Sequence, residues 1–155
     1  MENLFKSLRD FTKIAGGVVN DEFVTLPEVD VELRVKLSKE ELKEYEEAAL
    51  AKDKKEIADA LGDRLYLLVG DIIAHGLDKD IERVFNEIHR SNMSKFTKDF
   101  TVAKRAVAAY EVSGTRCHVR STILEEATYY SVVRSDGKIL KCSEYTPPNL
   151  PPIYE

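Results

Sequence analysis

Apolar residues return every three or four positions along most of the chain up to Val112 and then begin to alternate, so the pattern predicts helices followed by strands. Residues 2–15 read as a short amphipathic helix with Leu4, Phe5, Leu8, Phe11 and Ile14 near one face, stopped by Gly16-Gly17. Residues 18–27 form an irregular or extended connection ending at Pro27. A second helix is predicted from near Val29 to Ala51, with Leu33, Leu37, Leu42, Tyr45, Ala49 and Leu50 on its apolar side. Ser38 is an alternative start, as a capping residue before Glu40-Glu41. Lys52-Asp53-Lys54 is a turn short enough to lay the next helix antiparallel and adjacent. That helix runs to Gly76, and the chain is organised around it. Ile57, Leu61, Leu65, Leu68 and Ile72 fill one side, which Ala58, Tyr66, Val69 and Ile73 widen to about half the circumference. Arg64 and Asp71 are left for a solvent strip, whereas Gly70 and Ala74 suggest a face that touches protein.

Asp78-Lys79-Asp80 opens a further helix with Ile81, Val84, Phe85 and Ile88 at helical spacing, running into His89–Lys95. The Ala-rich stretch Thr101–Val112 predicts another, closed by Gly114. Cys117–Ile123 and Tyr129–Arg134 alternate and are rich in β-branched and aromatic residues, the signature of two short strands. Asp136-Gly137 is a hairpin signal, with Lys138–Cys142 a candidate third strand. Tyr145–Tyr154 holds four prolines and reads as an extended arm.

Composition narrows the class. A chain of 155 residues suits one domain, and a net charge of −5 gives no reason to expect nucleic-acid or membrane binding. No apolar run is long enough to span a bilayer, and MENLFKSLRDF lacks the apolar core of a signal peptide, so the expected location is the cytoplasm, a host's if the chain is viral. Cys117 and Cys142 show neither metal spacing nor a disulfide framework, and His75, His89 and His118 are scattered.

The candidate chemistry is acidic. At about 100° per residue, Glu56, Asp59 and Asp63 lie within about 60° of one another, and stacked carboxylates repel unless a cation sits between them. On the preceding helix Glu40, Glu41 and Glu44 share about one third of the circumference, so an antiparallel pair lets Glu41 and Glu44 face Glu56, Asp59 and Asp63. Oxygen donors without thiol or imidazole suit Mg²⁺ or Mn²⁺ rather than zinc. One of Glu40 and Glu41 is the candidate base for activating a water.

Glu40-Glu41-x-x-Glu44 followed by Glu56-Ile57-Ala58-Asp59-Ala60-Leu61-Gly62-Asp63-Arg64-Leu65-Tyr66 resembles the all-α nucleoside triphosphate pyrophosphohydrolases, the MazG-like and phosphoribosyl-ATP pyrophosphohydrolase group. Its signature is ExxE on one helix and ExxD on the next. Glu87-Ile88-His89-Arg90-Ser91-Asn92-Met93-Ser94-Lys95 matches it too, as does Asp136-Gly137-Lys138-Ile139-Leu140-Lys141 with Tyr145-Thr146-Pro147-Pro148. The second acidic motif has two registers: Glu56-x-x-Asp59 satisfies it literally, whereas the aromatic that follows the family aspartate points to Asp63 with Tyr66. The resemblance implies a mainly α antiparallel bundle of MazG-like type, to which the patterns above add a small C-terminal β-hairpin and an extended proline-rich arm. The organisation expected is a single domain over 1–155, with a catalytic core at 28–95, an insert at 96–133 longer than the family's usual link, and an extension at 134–155.

The same resemblance implies hydrolysis of a (d)NTP to (d)NMP and pyrophosphate with Mg²⁺ held by Glu41, Glu44, Glu56, Asp59 and Asp63. It also casts Asn92, Lys95, Lys138, Lys141 and Tyr145 as substrate contacts. Hydrolysis of phosphoribosyl-ATP and non-catalytic binding of Mg²⁺ or nucleotide are the alternatives. Because the apolar girth of the helical core exceeds what one chain covers, a homodimer or homotetramer is expected.

Overall fold

The computed structural model describes residues 2–150, the side chain of Glu2 excepted, and the end of the predicted arm lies outside the described residues. Among the described residues five helices precede a three-stranded antiparallel sheet, and none of these helices is long and apolar enough to cross a membrane. The contacts gather in two compact units, and the division falls between Glu82 and Arg83.

The first unit contains α1 (Glu2–Ile14), α2 (Glu28–Ala51) and α3 (Lys54–Ala74). Gly16, at φ 72°, and Gly17 close α1 by donating to the Lys13 and Thr12 carbonyls. Pro27 precedes α2, and its carbonyl accepts from Asp30 and Val31. The helix then runs unbroken past Ser38, so the alternative start there is not used. Lys52 ends α2 in the left-handed region, and the Asp53 carboxylate caps α3 by accepting from the Lys55 and Glu56 amides at 3.0 and 3.2 Å. Only Lys52 and Asp53 separate the helices, so α2 and α3 pack antiparallel: Arg64 lies 5.1 Å over the Tyr45 ring, and further from the turn Arg34 meets Asp71 at 2.8 Å. Arg64 and Asp71, expected in a solvent strip, are instead half-buried against α2, because each finds a partner on the facing helix.

α1 covers a third side of α3. Leu8, Val69 and Ile73 form the core with Phe5 and Val19 packed on it, and Phe11 meets Tyr66 edge-on at 5.6 Å. Gly70 sits under Leu8 and Ala74 is fully buried, as expected for a face that touches protein. Arg9 locks this arrangement, donating to both Asp78 carboxylate oxygens (2.9 and 2.8 Å), to Asp21 (2.9 Å) and to the Asn20 carbonyl. Asn20 and Val24 hold the connection after α1 against the end of α3: Asn20 Nδ2 donates to the Ala74 carbonyl, and the Val24 amide to that of His75.

Most of α4 (Ile81–Met93), α5 (Phe100–Val112), β1 (Cys117–Leu124), β2 (Ala127–Arg134) and β3 (Ile139–Leu140) lie in the second unit. The sheet order is β1-β2-β3, with Cys117 opposite Arg134 and Val132 opposite Leu140. It is a meander rather than one hairpin, and its central strand buries Ser131, Val132 and Val133 consecutively. Helix α5 packs on β1 and β2, with Ala103 fully buried. Residues 96–133, which the resemblance leaves unplaced, therefore supply α5 and two strands of the sheet that β3 completes. The third strand is shorter than Lys138–Cys142, since the Lys138 amide turns back to Asp136 and the Cys142 carbonyl accepts from Tyr145.

Candidate functional site

The carboxylates of α2 and α3 meet in a cleft inside the first unit. Helical periodicity puts Glu40, Glu41 and Glu44 on one side of α2, the two-residue turn brings α3 back alongside, and Asp59 and Asp63 then face them. The Oε2 of half-buried Glu41 is removed from solvent and has no hydrogen-bond partner. Burial pushes its carboxyl above the usual range, and the charges of Glu44, Asp63, Glu40 and Asp59 push the same way. Both registers of the second acidic motif thus bear on one carboxylate, Asp63 more strongly than Asp59.

Towards the turn, a cavity of about 360 Å³ is lined by Glu44, Glu47, Asp53, Glu56 and Asp59 with Ala48, Ala51 and Ala60, and no basic residue lines it. Glu56 bonds Lys55 at 3.2 Å and Glu40 lies 3.9 Å from Lys36, whereas Glu41, Glu44, Asp59 and Asp63 have no ion pair among the described residues. Among those residues no three His, Cys, Asp or Glu side chains close around one point, so the cleft is open rather than a finished ligand cage. An orphaned, buried carboxylate oxygen among other carboxylates fits a hard divalent cation, which would satisfy that oxygen and relieve the repulsion.

The other residues singled out in the sequence lie in the second unit. Lys95 Nζ donates to Asn92 Oδ1 at 2.7 Å. Lys141 Nζ stands 4.2 Å over the Tyr145 ring, while Lys138 sits apart in the Asp136-Gly137 turn. A hydrogen bond with Ser91 holds the Tyr145 phenol below its ordinary value, helped by the charges of Lys141 and Lys95. The two motif pieces that lie far apart in sequence are physically joined. Arg90 donates to Thr146 Oγ1 and to the Pro147 carbonyl, Ser91 Oγ to the Thr146 carbonyl at 2.9 Å, and the Asn149 amide to Glu87. Glu87 is held down to about 2, chiefly by Arg90. Arg105 and Tyr110, on α5, line a separate cavity with Lys141 and Tyr145. No local pattern announces this cavity, because its walls come from α5 and from the segment after β3, which are far apart in the sequence.

Comparison with known proteins agrees with the helical part of this description. An uncharacterized protein of Acanthamoeba polyphaga mimivirus is 35% identical over 74 residues, which are 48% of this chain and 30% of that relative, so the chain spans well under two thirds of its length. The phosphoribosyl-ATP pyrophosphohydrolase family matches residues 10–92, which contain α2, α3 and every carboxylate of the cleft. Matched over more than half of its length, the chain belongs to the phosphoribosyl-ATP pyrophosphohydrolase family, whose members are hydrolases acting on phosphoric anhydrides.

Proposed function

We propose that the protein is a divalent-metal-dependent nucleoside triphosphate pyrophosphohydrolase that converts a (d)NTP and water to the (d)NMP and pyrophosphate. The observation that carries this reading is the unpartnered, buried Glu41 oxygen in a cleft of carboxylates contributed by two facing helices. Glu41, Glu44, Asp59 and Asp63 would hold the cation, Mg²⁺ first and Mn²⁺ next, with Glu56 at the edge nearer the turn. Bound there, the cation would neutralise charge on the phosphate oxygens and polarise a water. Glu41 is the favoured base, because burial and its acidic neighbours raise its affinity for a proton. Glu40, beside Lys36, is the second choice. Asn92, Lys95, Lys138, Lys141 and Tyr145 stand as candidate substrate contacts.

Phosphoribosyl-ATP, which names the family, is the second substrate reading. Product analysis with Mg²⁺ separates the possibilities. Nucleoside monophosphate and pyrophosphate in equal amounts are expected from a panel of NTPs and dNTPs, and none of it in excess EDTA. Turnover of phosphoribosyl-ATP alone would transfer the assignment to that substrate, and nucleoside diphosphate as the main product would overturn the chemistry.

We further infer a symmetric assembly, at least a dimer. Leu61, Leu65 and Leu68 are 46–55% exposed on α3, beside exposed Leu42 on α2, although periodicity marks that side of α3 as a core face. A second copy laying the same face against it would cover both.

A further inference from the structure

The second unit holds a cavity of about 700 Å³ outside the acidic cleft, between α5 and the segment after β3, and two of the candidate substrate contacts, Lys141 and Tyr145, line it. Val102, Ala106, Ala109 and Tyr110 make an apolar floor along α5; Arg105 comes from the same helix, and Lys141 and Tyr145 from the other wall. The volume lies within the usual range for small-molecule sites. Its charge is one-sided. No carboxylate lines it, Arg105 has no ion pair among the described residues, and the Lys141 ammonium is held over the Tyr145 ring. In a chain of net charge −5, a concave surface whose charged lining groups, Arg105 and Lys141, are both cations is set apart from its surroundings. A hydrogen bond with Ser91 holds the Tyr145 phenol below its ordinary value, and the charge of Lys141 acts in the same direction.

We propose that this cavity binds a nucleoside monophosphate, its planar base on the Val102–Tyr110 floor and its phosphate between Arg105 and Lys141. Apolar and aromatic side chains favour a flat ring, and a guanidinium can grip phosphate oxygens in a bidentate fork. The site needs no metal and no residue of the acidic cleft.

The full chain is titrated in excess EDTA with a nucleoside monophosphate, with the matching nucleoside, and with ribose 5-phosphate, followed by calorimetry. The variants are Arg105→Glu, Ala109→Trp and Glu44→Gln. Arg105 and Ala109 are exposed, so reversing the charge or filling the cavity spares the core, and circular dichroism checks each fold. Wild type and Glu44→Gln should bind the monophosphate alike. Arg105→Glu and Ala109→Trp should each weaken it by about tenfold or more, with nucleoside and ribose 5-phosphate each weaker by a similar factor. Binding lost in Glu44→Gln but kept in both cavity variants would place the nucleotide in the acidic cleft and overturn the proposal. So would ribose 5-phosphate binding as tightly as the nucleotide, or no binding at millimolar concentration. None of these results depends on turnover, so they leave the proposed reaction to its own test.

Discussion

Glu41 shows how a single side chain links the fold to its chemistry. A carboxylate bound more tightly to its proton in the folded state than in the unfolded one destabilises the fold as it ionises. With Glu41 raised above its ordinary value, the metal-free protein should lose stability as pH rises from that value through the folded one. In Glu41→Gln that loss should vanish, and Mg²⁺ should reduce it in wild type; melting temperatures across pH measure both, and a decline that persists in Glu41→Gln would place its origin elsewhere. Glu44→Gln should leave the metal-free protein as stable or slightly more so, since one repulsive charge is gone, while pyrophosphate release falls by orders of magnitude. Wild-type turnover in that variant would remove Glu44 from the site. These acids were legible because a helical repeat and a short turn together imply a shared face. Arg64 and Asp71 were misread for the same reason that Glu41 was not. Periodicity places a residue on a face, but whether Tyr45 or Arg34 waits opposite depends on how the two helices are rotated about their axes.

Among the elements, the β1–β2 hairpin departs most from what the residues announce. Leu124 pairs with Ala127, so Glu125 and Glu126 alone make the turn, at φ 48° and 65°. Two consecutive left-handed residues match the twist of a two-residue hairpin, but that geometry favours Asn-Gly, and side chains with a Cβ are strained there. Without a turn signal, the sequence ends one strand at Ile123 and restarts at Tyr129, whereas the pairing continues through Leu124, Ala127 and Thr128. Replacing Glu125 by Asn and Glu126 by Gly should stabilise the second unit by about 1 kcal/mol, read from urea unfolding. An unchanged midpoint would mean that the strands alone determine this turn. The Asp136-Gly137 hairpin, by contrast, was readable from its Gly, which sits at φ 90°.

At the scale of the whole molecule, the apolar side of α3 argues for association. Leu65→Glu should break the assembly and lower its melting temperature while the helical content of each chain is kept, because Leu65 is 48% exposed within one chain. Sedimentation at several concentrations decides it: a wild-type protein that stays monomeric at high concentration would end the symmetric reading. The helical core could be read from sequence because its contacts are local and periodic. The sheet was harder, since β3 joins β2 by register rather than by pattern, and the place of residues 96–133 depends on contacts such as the Thr97–Tyr130 bridge, which no local motif announces.

Gly76 ends α3 at φ 70°, and any Cβ there would lie inside the backbone of Glu22, which crosses it. No other amino acid satisfies both the backbone angle and the crossing segment. In a library of all single substitutions scored by activity, this position should tolerate as little variation as Glu44, although it carries no functional group. Scoring the same library for the amount of folded protein would separate them, with Gly76 variants depleted from the soluble fraction and Glu44 variants abundant but inactive. Intolerance to change, taken alone, would therefore mark a crossing of two backbones as readily as a centre of chemistry.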